Sequence, residues 1–310
     1  MALSTTINQT GSHSSYRTIF NYYLELCKPK VVAVMLITSM VGMGLALESI
    51  PTLNQMGTMI IALTGIAFCA SSSAVINHVV DRWRDQKMRR TRKRPVAAGN
   101  LPVVKALLFA AGLLSTGVLL LLNVNTLCLL LTLAATLGYA VMYTLILKPI
   151  TPQNITIGGI AGALPPLLGW TAISPTINAH ALLLVLIIFT WTPPHFWALA
   201  LYRVDDYKKA QVPMLPVTHG QKFTRLHILL YSILLVLVTA LPWITQFSSW
   251  VYLLFVSYLN LKFIKLAWQL FIEGTDALAR KLFKYSIVYL LGLFGAILAD
   301  HMVRHWIGLV

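Results

Sequence analysis

Nine long apolar runs separated by short polar connections dominate the 310-residue chain. They lie at about 31 to 47, 56 to 80, 103 to 122, 126 to 147, 155 to 173, 179 to 202, 226 to 244, 250 to 270 and 283 to 308. A helix needs roughly 20 apolar residues to cross the hydrocarbon of a bilayer, whereas a membrane strand needs about 10 alternating ones. Runs such as LLFAAGLLSTGVLLLL do not alternate, so the pattern predicts helices. The predicted fold class is all-α: a polytopic membrane protein with nine transmembrane helices in one bundle. Residues 31–310 are expected to form that single intramembrane domain. Residues 1–30 are expected to be a cytoplasmic tail, its Ser/Thr-rich first 20 residues disordered and without the apolar core of a secretory signal.

Composition excludes the alternatives. Hydrophobic residues make up 57% of the chain and charged residues 11%, against about 25% charged in a typical soluble domain. A disordered chain is excluded on the same grounds. The first partner is therefore the lipid bilayer. The formal charge is +15, and its distribution says why. With nine crossings, Arg17, Lys28, Lys30, the 80 to 105 segment, Lys148, and the 203 to 225 and 262 to 284 segments share one side. Arg304 lies on the other. The positive-inside rule then places the N-terminus in the cytoplasm and the C-terminus outward, in a bacterial inner membrane, and accounts for the charge without nucleic acid. Trp170, Trp243, Trp250 and Trp306 fall near the outward boundary, as an aromatic belt would. Cys27, Cys69 and Cys128 are isolated and read as packing residues.

The segment leaving the second span, NHVVDRWRDQKMRRTRKRPVAAG at 77–99, holds the strongest chemical signal. Asn77, Asp81 and Asp85 recur every four residues and share one helical stripe. Two carboxylates on one face repel each other and call for a cation, and Mg²⁺ suits them, since it takes one or two carboxylates and completes its shell with water and phosphate. Arg90 and Arg94 follow at the same spacing, and guanidinium groups bind phosphate oxygens. Together these residues suit a metal-bridged diphosphate. The plain alternative is that the basic residues fix topology and the aspartates pair with Arg82, Arg84 and Arg89.

The sixth span leaves on the same side, so its polar end is expected to face that of the second span. There TPPHFWALALYRVDDYKKAQVPMLPVTHG offers Asp205 and Asp206 beside Lys208 and Lys209. Pro193 and Pro194 are expected to kink or break the span and free carbonyls. His195 follows them at membrane depth, either as a functional imidazole or as a histidine satisfied by those carbonyls. His78 sits off the Asn77–Asp81 stripe and reads as structural. Between the two segments, Tyr143, Thr144, Lys148 and Asn154 could reach a phosphate or a polar ring edge, and Gly158, Gly159 and Gly162 would allow close helix approach.

These residues resemble the UbiA-type intramembrane aromatic prenyltransferases, and within them the subfamily that farnesylates protohaem IX. The first segment is similar to the family's Asn-x-x-x-Asp-x-x-x-Asp signature. The subfamily resemblance is carried by DQKMRRTRKRP at 85–95, YTLILKPITPQNITIGGIAGALPPLLGW at 143–170, TPPHFWALAL at 192–201 and DYKKAQVPMLPVTHG at 206–220. One position departs. The family's second motif is usually Asp-x-x-x-Asp, whereas Lys209 and Ala210 stand four residues after Asp205 and Asp206. The resemblance implies transfer of a farnesyl group from farnesyl diphosphate to a vinyl group of haem b, giving haem O, with haem as substrate. It implies Mg²⁺ as the cofactor, on Asp81, Asp85 and Asp206, with Asn77 orienting the pair. Substrate contacts would come from Arg90, Arg94, Lys148, Asn154, His195, Tyr207 and Lys209, with His195 directed to the haem iron or propionates. Haem-copper oxidase assembly factors are the partners the resemblance adds. Two other readings remain open at this level: a prenyltransferase for another aromatic acceptor, and a transporter whose sixth span lines a path.

Overall fold

The computed structural model describes residues 10–306, with side chains from Tyr16 to His305. All regular structure among them is helical. The elements are α1 (Thr10–Leu26), α2 (Pro29–Leu45), α3 (Leu53–Val80), α4 (Arg82–Lys87), α5 (Val103–Leu122) and α6 (Thr126–Leu137). A π-helical stretch (Gly138–Leu147) continues α6 into α7 (Lys148–Ile150), followed by α8 (Asn154–Ala163) and α9 (Pro165–Ile173). Then come α10 (Ala179–Leu201), α11 (Val204–Lys209), α12 (Leu215–Thr218), α13 (Gly220–Ile244), α14 (Trp250–Glu273) and α15 (Asp276–Trp306). Eight helices or continuous helix pairs are long and apolar enough to cross a bilayer, and α1 with α2 makes a bent ninth. The nine spans thus appear as the apolar pattern predicts.

The expected disordered tail is corrected by α1. Its aromatic and aliphatic residues recur every three or four positions from Tyr16 to Leu26, which gives the helix a side to pack. Tyr23 meets Phe109 edge-on at 4.8 Å, and Leu26 is fully buried. Residues 1–9 of that tail lie outside the described residues. Lys28 then takes a left-handed backbone conformation (φ 50°), Pro29 opens α2 with its preset φ, and the two axes differ by 50°.

Six elements close a ring. α2 packs on α3, α3 on the π-helical stretch, that stretch on α8, α8 on α10, α10 on α15, and α15 back on α2. Outside the ring, α5 covers α3, while α13 and α14 flank α10 and α15. α9 packs on α2, α3 and α10. Its approach to α2 is backbone on backbone: a Cβ at Gly169 would lie 1.8 Å from the Ser39 carbonyl oxygen, and one at Gly42 would lie 2.0 Å from that of Pro166. Small residues allow this close crossing, and the Ser39 hydroxyl donates to the Pro165 carbonyl at 2.8 Å.

Proline has opposite effects in two spans. Pro165 and Pro166 divide the fifth span at Leu164, where α9 restarts with Pro165 in its first turn. Pro193 and Pro194, expected to kink or break the sixth, lie inside an α10 that does not break. Two missing donors do not outweigh the packing of a helix buried on both sides of them. The aromatic belt also needs one correction. Trp243 and Trp250 are exposed, but Trp170 is buried beside Phe247, because α9 lies inside the bundle. The Trp306 side chain lies outside the described ones.

Candidate functional site

The polar stripe survives the end of its helix. The Asp81 backbone N–H donates to the Asn77 carbonyl at 2.9 Å, and that of Asp85 to the Asp81 carbonyl at 2.8 Å. The helical path therefore continues from α3 into α4, and Asn77, Asp81 and Asp85 stay in register. All three are buried, Asp81 at 0% exposure and Asp85 at 1%.

Burying carboxylates is costly unless they are paired and hydrogen-bonded, and these are. Asp81 accepts from Asn77 Nδ2 at 2.8 Å and Arg84 Nη1 at 3.3 Å, and is paired with Lys148. Asp85 is paired with Arg94 Nη1 at 2.8 Å. Arg94 reaches it because the chain after Met88 leaves the helix and folds back in turns, fixed by Thr91 Oγ1 donating to the Asp85 carbonyl and Gln86 Nε2 to that of Ala97. The expected division of labour, acids for metal and arginines for phosphate, is thus compressed into one cluster. Arg90 is exposed on the same loop.

The opposite wall is supplied by the π-helical stretch. In an α-helix, residues five apart are about 140° out of register, but i to i+5 bonding brings them into line. That alignment stacks Thr144 above Tyr139 and Lys148 above Tyr143: Thr144 Oγ1 donates to the Tyr139 carbonyl at 2.8 Å, and the Lys148 N–H to that of Tyr143. Thr144 then accepts from Asn77 Nδ2 at 3.2 Å, and Lys148 reaches Asp81. Gly158 makes room for this wall, since a Cβ there would lie 2.4 Å from the Tyr143 ring.

Lys28 belongs to the site and was missed by sequence reasoning. Its ammonium donates to Asn77 Oδ1 at 2.6 Å and to the Tyr139 hydroxyl at 3.2 Å. A signal was present, because Lys-Pro pairs stand at 28–29 and 148–149, each at the end of a span on the basic side. Lys28, Arg84, Arg94 and Lys148 therefore surround Asp81 and Asp85, four formal positive charges against two negative. A cavity of about 390 Å³ bordered by Val80, Arg84, Lys87 and Thr144 opens alongside.

The second segment meets the first through Asp206. This buried residue accepts from the Arg89 backbone N–H at 3.3 Å, with Arg203 at 3.9 Å. Tyr207 packs with Met88, Tyr143 and Met214, and burial holds its phenol above the ordinary range, against the opposing pull of Arg90. Lys209 is exposed, with no ion pair among the described residues. Asn154 is buried, but its Nδ2 donates to the Thr151 carbonyl at 2.6 Å, leaving Oδ1 unpartnered. As placed, that amide has an acceptor free, which is unsuited to a phosphate oxygen. His195 stands apart from this cluster, its Nδ1 2.6 Å from Ser286 Oγ, so neither the freed carbonyls nor the aspartates hold it. His78 is buried, with no hydrogen-bond partner at either ring nitrogen among the described residues.

Residues 35–292 match the model of the UbiA prenyltransferase family. The chain belongs to that family. This UbiA-family prenyltransferase is 52% identical to the Protoheme IX farnesyltransferase of Hahella chejuensis over 282 residues, 91% of this chain and 93% of that one. It is 50% identical to the protein of that name from Photobacterium profundum, over 96% and 93% of the two chains. A digeranylgeranylglyceryl phosphate synthase structure superposes with a TM-score of 0.75 at 21% identity, covering 92% of this chain and 99% of its own. A UbiA homologue from Archaeoglobus fulgidus, solved with GPP and Mg²⁺, superposes with a TM-score of 0.60 at 18% identity, over 89% and 99%. The family fold is thus the nine-span bundle described above.

Proposed function

We propose that the chain transfers the farnesyl group of farnesyl diphosphate to a vinyl group of protohaem IX, yielding haem O. The observation that carries this reading is the excess of cationic side chains, Lys148 buried and Lys28, Arg84 and Arg94 half-buried, around the buried Asp81 and Asp85. Desolvated positive charge seeks an anion, and a diphosphate presents several oxygens to paired guanidinium and ammonium groups. The names of the 50–52% identical relatives supply the donor and acceptor.

The donor set suits Mg²⁺. Asp81 and Asp85 offer two carboxylates one turn apart, Asn77 holds the first in place, and Mg²⁺ needs no more than two before water and phosphate complete its shell. Asp206 is a further carboxylate on the neighbouring segment. When bound, the ion would neutralise charge on the departing diphosphate. Lys148, Lys28, Arg84 and Arg94, now held on Asp81, Asp85 and Asn77, would add donors beside the departing diphosphate. The apolar ring of helices shields the resulting allylic cation from water until the vinyl carbon bonds to it. Addition of water to the new cation, with loss of a proton, then gives the hydroxyl. We infer one intramembrane domain in a bacterial inner membrane, with the site at the cytoplasmic face, the N-terminus cytoplasmic and the C-terminus outward.

Purified protein given haem b and farnesyl diphosphate is expected to form haem O, detected by mass spectrometry, to stop on chelation with EDTA and to recover with Mg²⁺. An active preparation that prenylates another aromatic acceptor but not haem b overturns the assignment. Lys28→Met is expected to raise KM for farnesyl diphosphate about tenfold, the worth of one charge-assisted hydrogen bond, with folding retained. An unchanged KM would remove Lys28 from the site.

A further inference from the structure

On α10 and α15 a second group of side chains has no part in diphosphate departure. The His195 ring is stacked between Trp191, at 4.2 Å between centroids, and Phe283, at 4.6 Å. Ser286 ties this stack together, with its hydroxyl at His195 Nδ1 and its carbonyl accepting from Trp191 Nε1 at 2.8 Å. His195 Nε2 has no hydrogen-bond partner among the described residues. A histidine with one ring nitrogen fixed and the other open is the arrangement found in metal-binding imidazoles.

Two turns further along α10, Tyr202 meets Phe283 edge-on at 6.2 Å. The guanidinium carbons of Arg203 and Arg280 lie 5.5 and 5.3 Å from the centroid of its ring. Two cations therefore flank one aromatic ring. Their acidic company is thin: Asp206 stands 3.9 Å from Arg203, Arg280 has no ion pair among the described residues, and Arg203 Nε is buried without a partner. From His195 to Leu201, the last residue of α10, the helix rises about 9 Å, and Arg203 follows two residues on. That rise is comparable with the reach from the centre of a porphyrin to its acidic side chains and an arginine bound to them.

We propose that Arg203 and Arg280, posed around Tyr202, anchor the carboxylates of the acceptor while its metal centre lies at His195. The inference rests on the protohaem reading above and deepens it. Protohaem carries two carboxylates on one edge and its vinyl groups elsewhere on the ring, so holding the acidic edge decides which vinyl group meets the prenyl chain. These arginines are then specificity-determining contacts, separate from the cations around Asp81.

Absorption titrations of the full-length protein in neutral detergent test this, with haem b and haem b dimethyl ester as the probes. The ester keeps ring, iron and vinyl groups and loses both negative charges. Wild type is expected to bind the free acid about tenfold or more tightly than the ester. Arg280→Gln and Arg203→Gln are each expected to remove most of that preference while leaving ester affinity within about twofold, as suits side chains at the surface. His195→Ala is expected to shift the Soret band and keep the preference for the acid. Equal wild-type affinity for acid and ester overturns the anchor, and that comparison needs no variant. Full preference in both arginine variants overturns it too, and an unmoved Soret band in His195→Ala overturns the placement of the metal centre. Binding of neither porphyrin, in protein that prenylates another acceptor, overturns the protohaem reading itself.

Discussion

Asp81→Asn is expected to lower haem O formation by about a thousandfold or more, the scale of losing a preorganised electrostatic partner at the reacting group. Asparagine keeps the shape of the side chain and removes the charge that a metal ion and Lys148 both require. It also leaves the Lys148 ammonium buried without its carboxylate, and breaking a buried pair from one side typically costs about 3–5 kcal/mol. Activity and stability would therefore fall together, and one variant cannot tell chemistry from folding. The pair can. Adding Lys148→Met to Asp81→Asn removes both charges and is expected to restore most of the thermal stability measured in detergent, because a neutral pair needs no solvation. Turnover, measured as haem O by mass spectrometry, is expected to stay at the floor. Recovery of turnover along with stability would reduce the aspartate to a structural role. The same logic applies to Asp85 and Arg94, which form the second pair of the cluster.

Much of this is legible in the amino-acid sequence alone. Span number and length follow from the bilayer's thickness, which acts on apolar residues summed over windows. The Asn77, Asp81 and Asp85 stripe was legible because an α-helix converts a spacing of four directly into a shared face. Boundaries were less so: α13 begins at Gly220 and α15 at Asp276, each about two turns before its apolar run. A helix does not stop where hydrocarbon does, so charged turns carrying Lys222, Arg225, Arg280 and Lys281 remain helical at the interface.

The residues that escaped did so for geometric reasons. Tyr139 joins the expected Thr144 in one wall only because the helix widens to i to i+5 bonding, and no hydrophobic period announces that change. Lys28 joins the site through a left-handed residue between two helices, a conformation that lysine's propensities do not suggest. The seat of His195 depends on α15, some 90 residues away in sequence, so its partner Ser286 could come only from the packed fold. Arg94 was expected to face phosphate and instead reaches back to Asp85, because turns after Met88 reverse the chain. Local periodicity thus pointed to the candidate cluster, and tertiary contact decided how its charges are shared.

A single methyl group at Gly169 is expected to destabilise the bundle by about 3 kcal/mol, at the upper end for overpacking. The clash is with the Ser39 carbonyl oxygen, which is backbone and cannot rotate away, so α2 and α9 must separate. For a chain of this size the unfolding midpoint in detergent should fall by on the order of 5 to 10 °C. Gly162→Ala is the control, since a Cβ there meets nothing within 4 Å, and replacing a helical glycine is expected to be neutral or slightly stabilising. The consequence reaches the chemistry through α2, a continuous helix that carries Gly42 near one end and follows Lys28 at the other, about 21 Å away. Pushing α2 off α9 tilts the helix that positions the Lys28 ammonium on Asn77, so KM for farnesyl diphosphate should rise in Gly169→Ala even at temperatures where the protein stays folded. A variant that melts early but binds donor normally would show that α2 pivots about its Lys28 end, and that the ring of helices tolerates movement at α9 without disturbing the charges around Asp81.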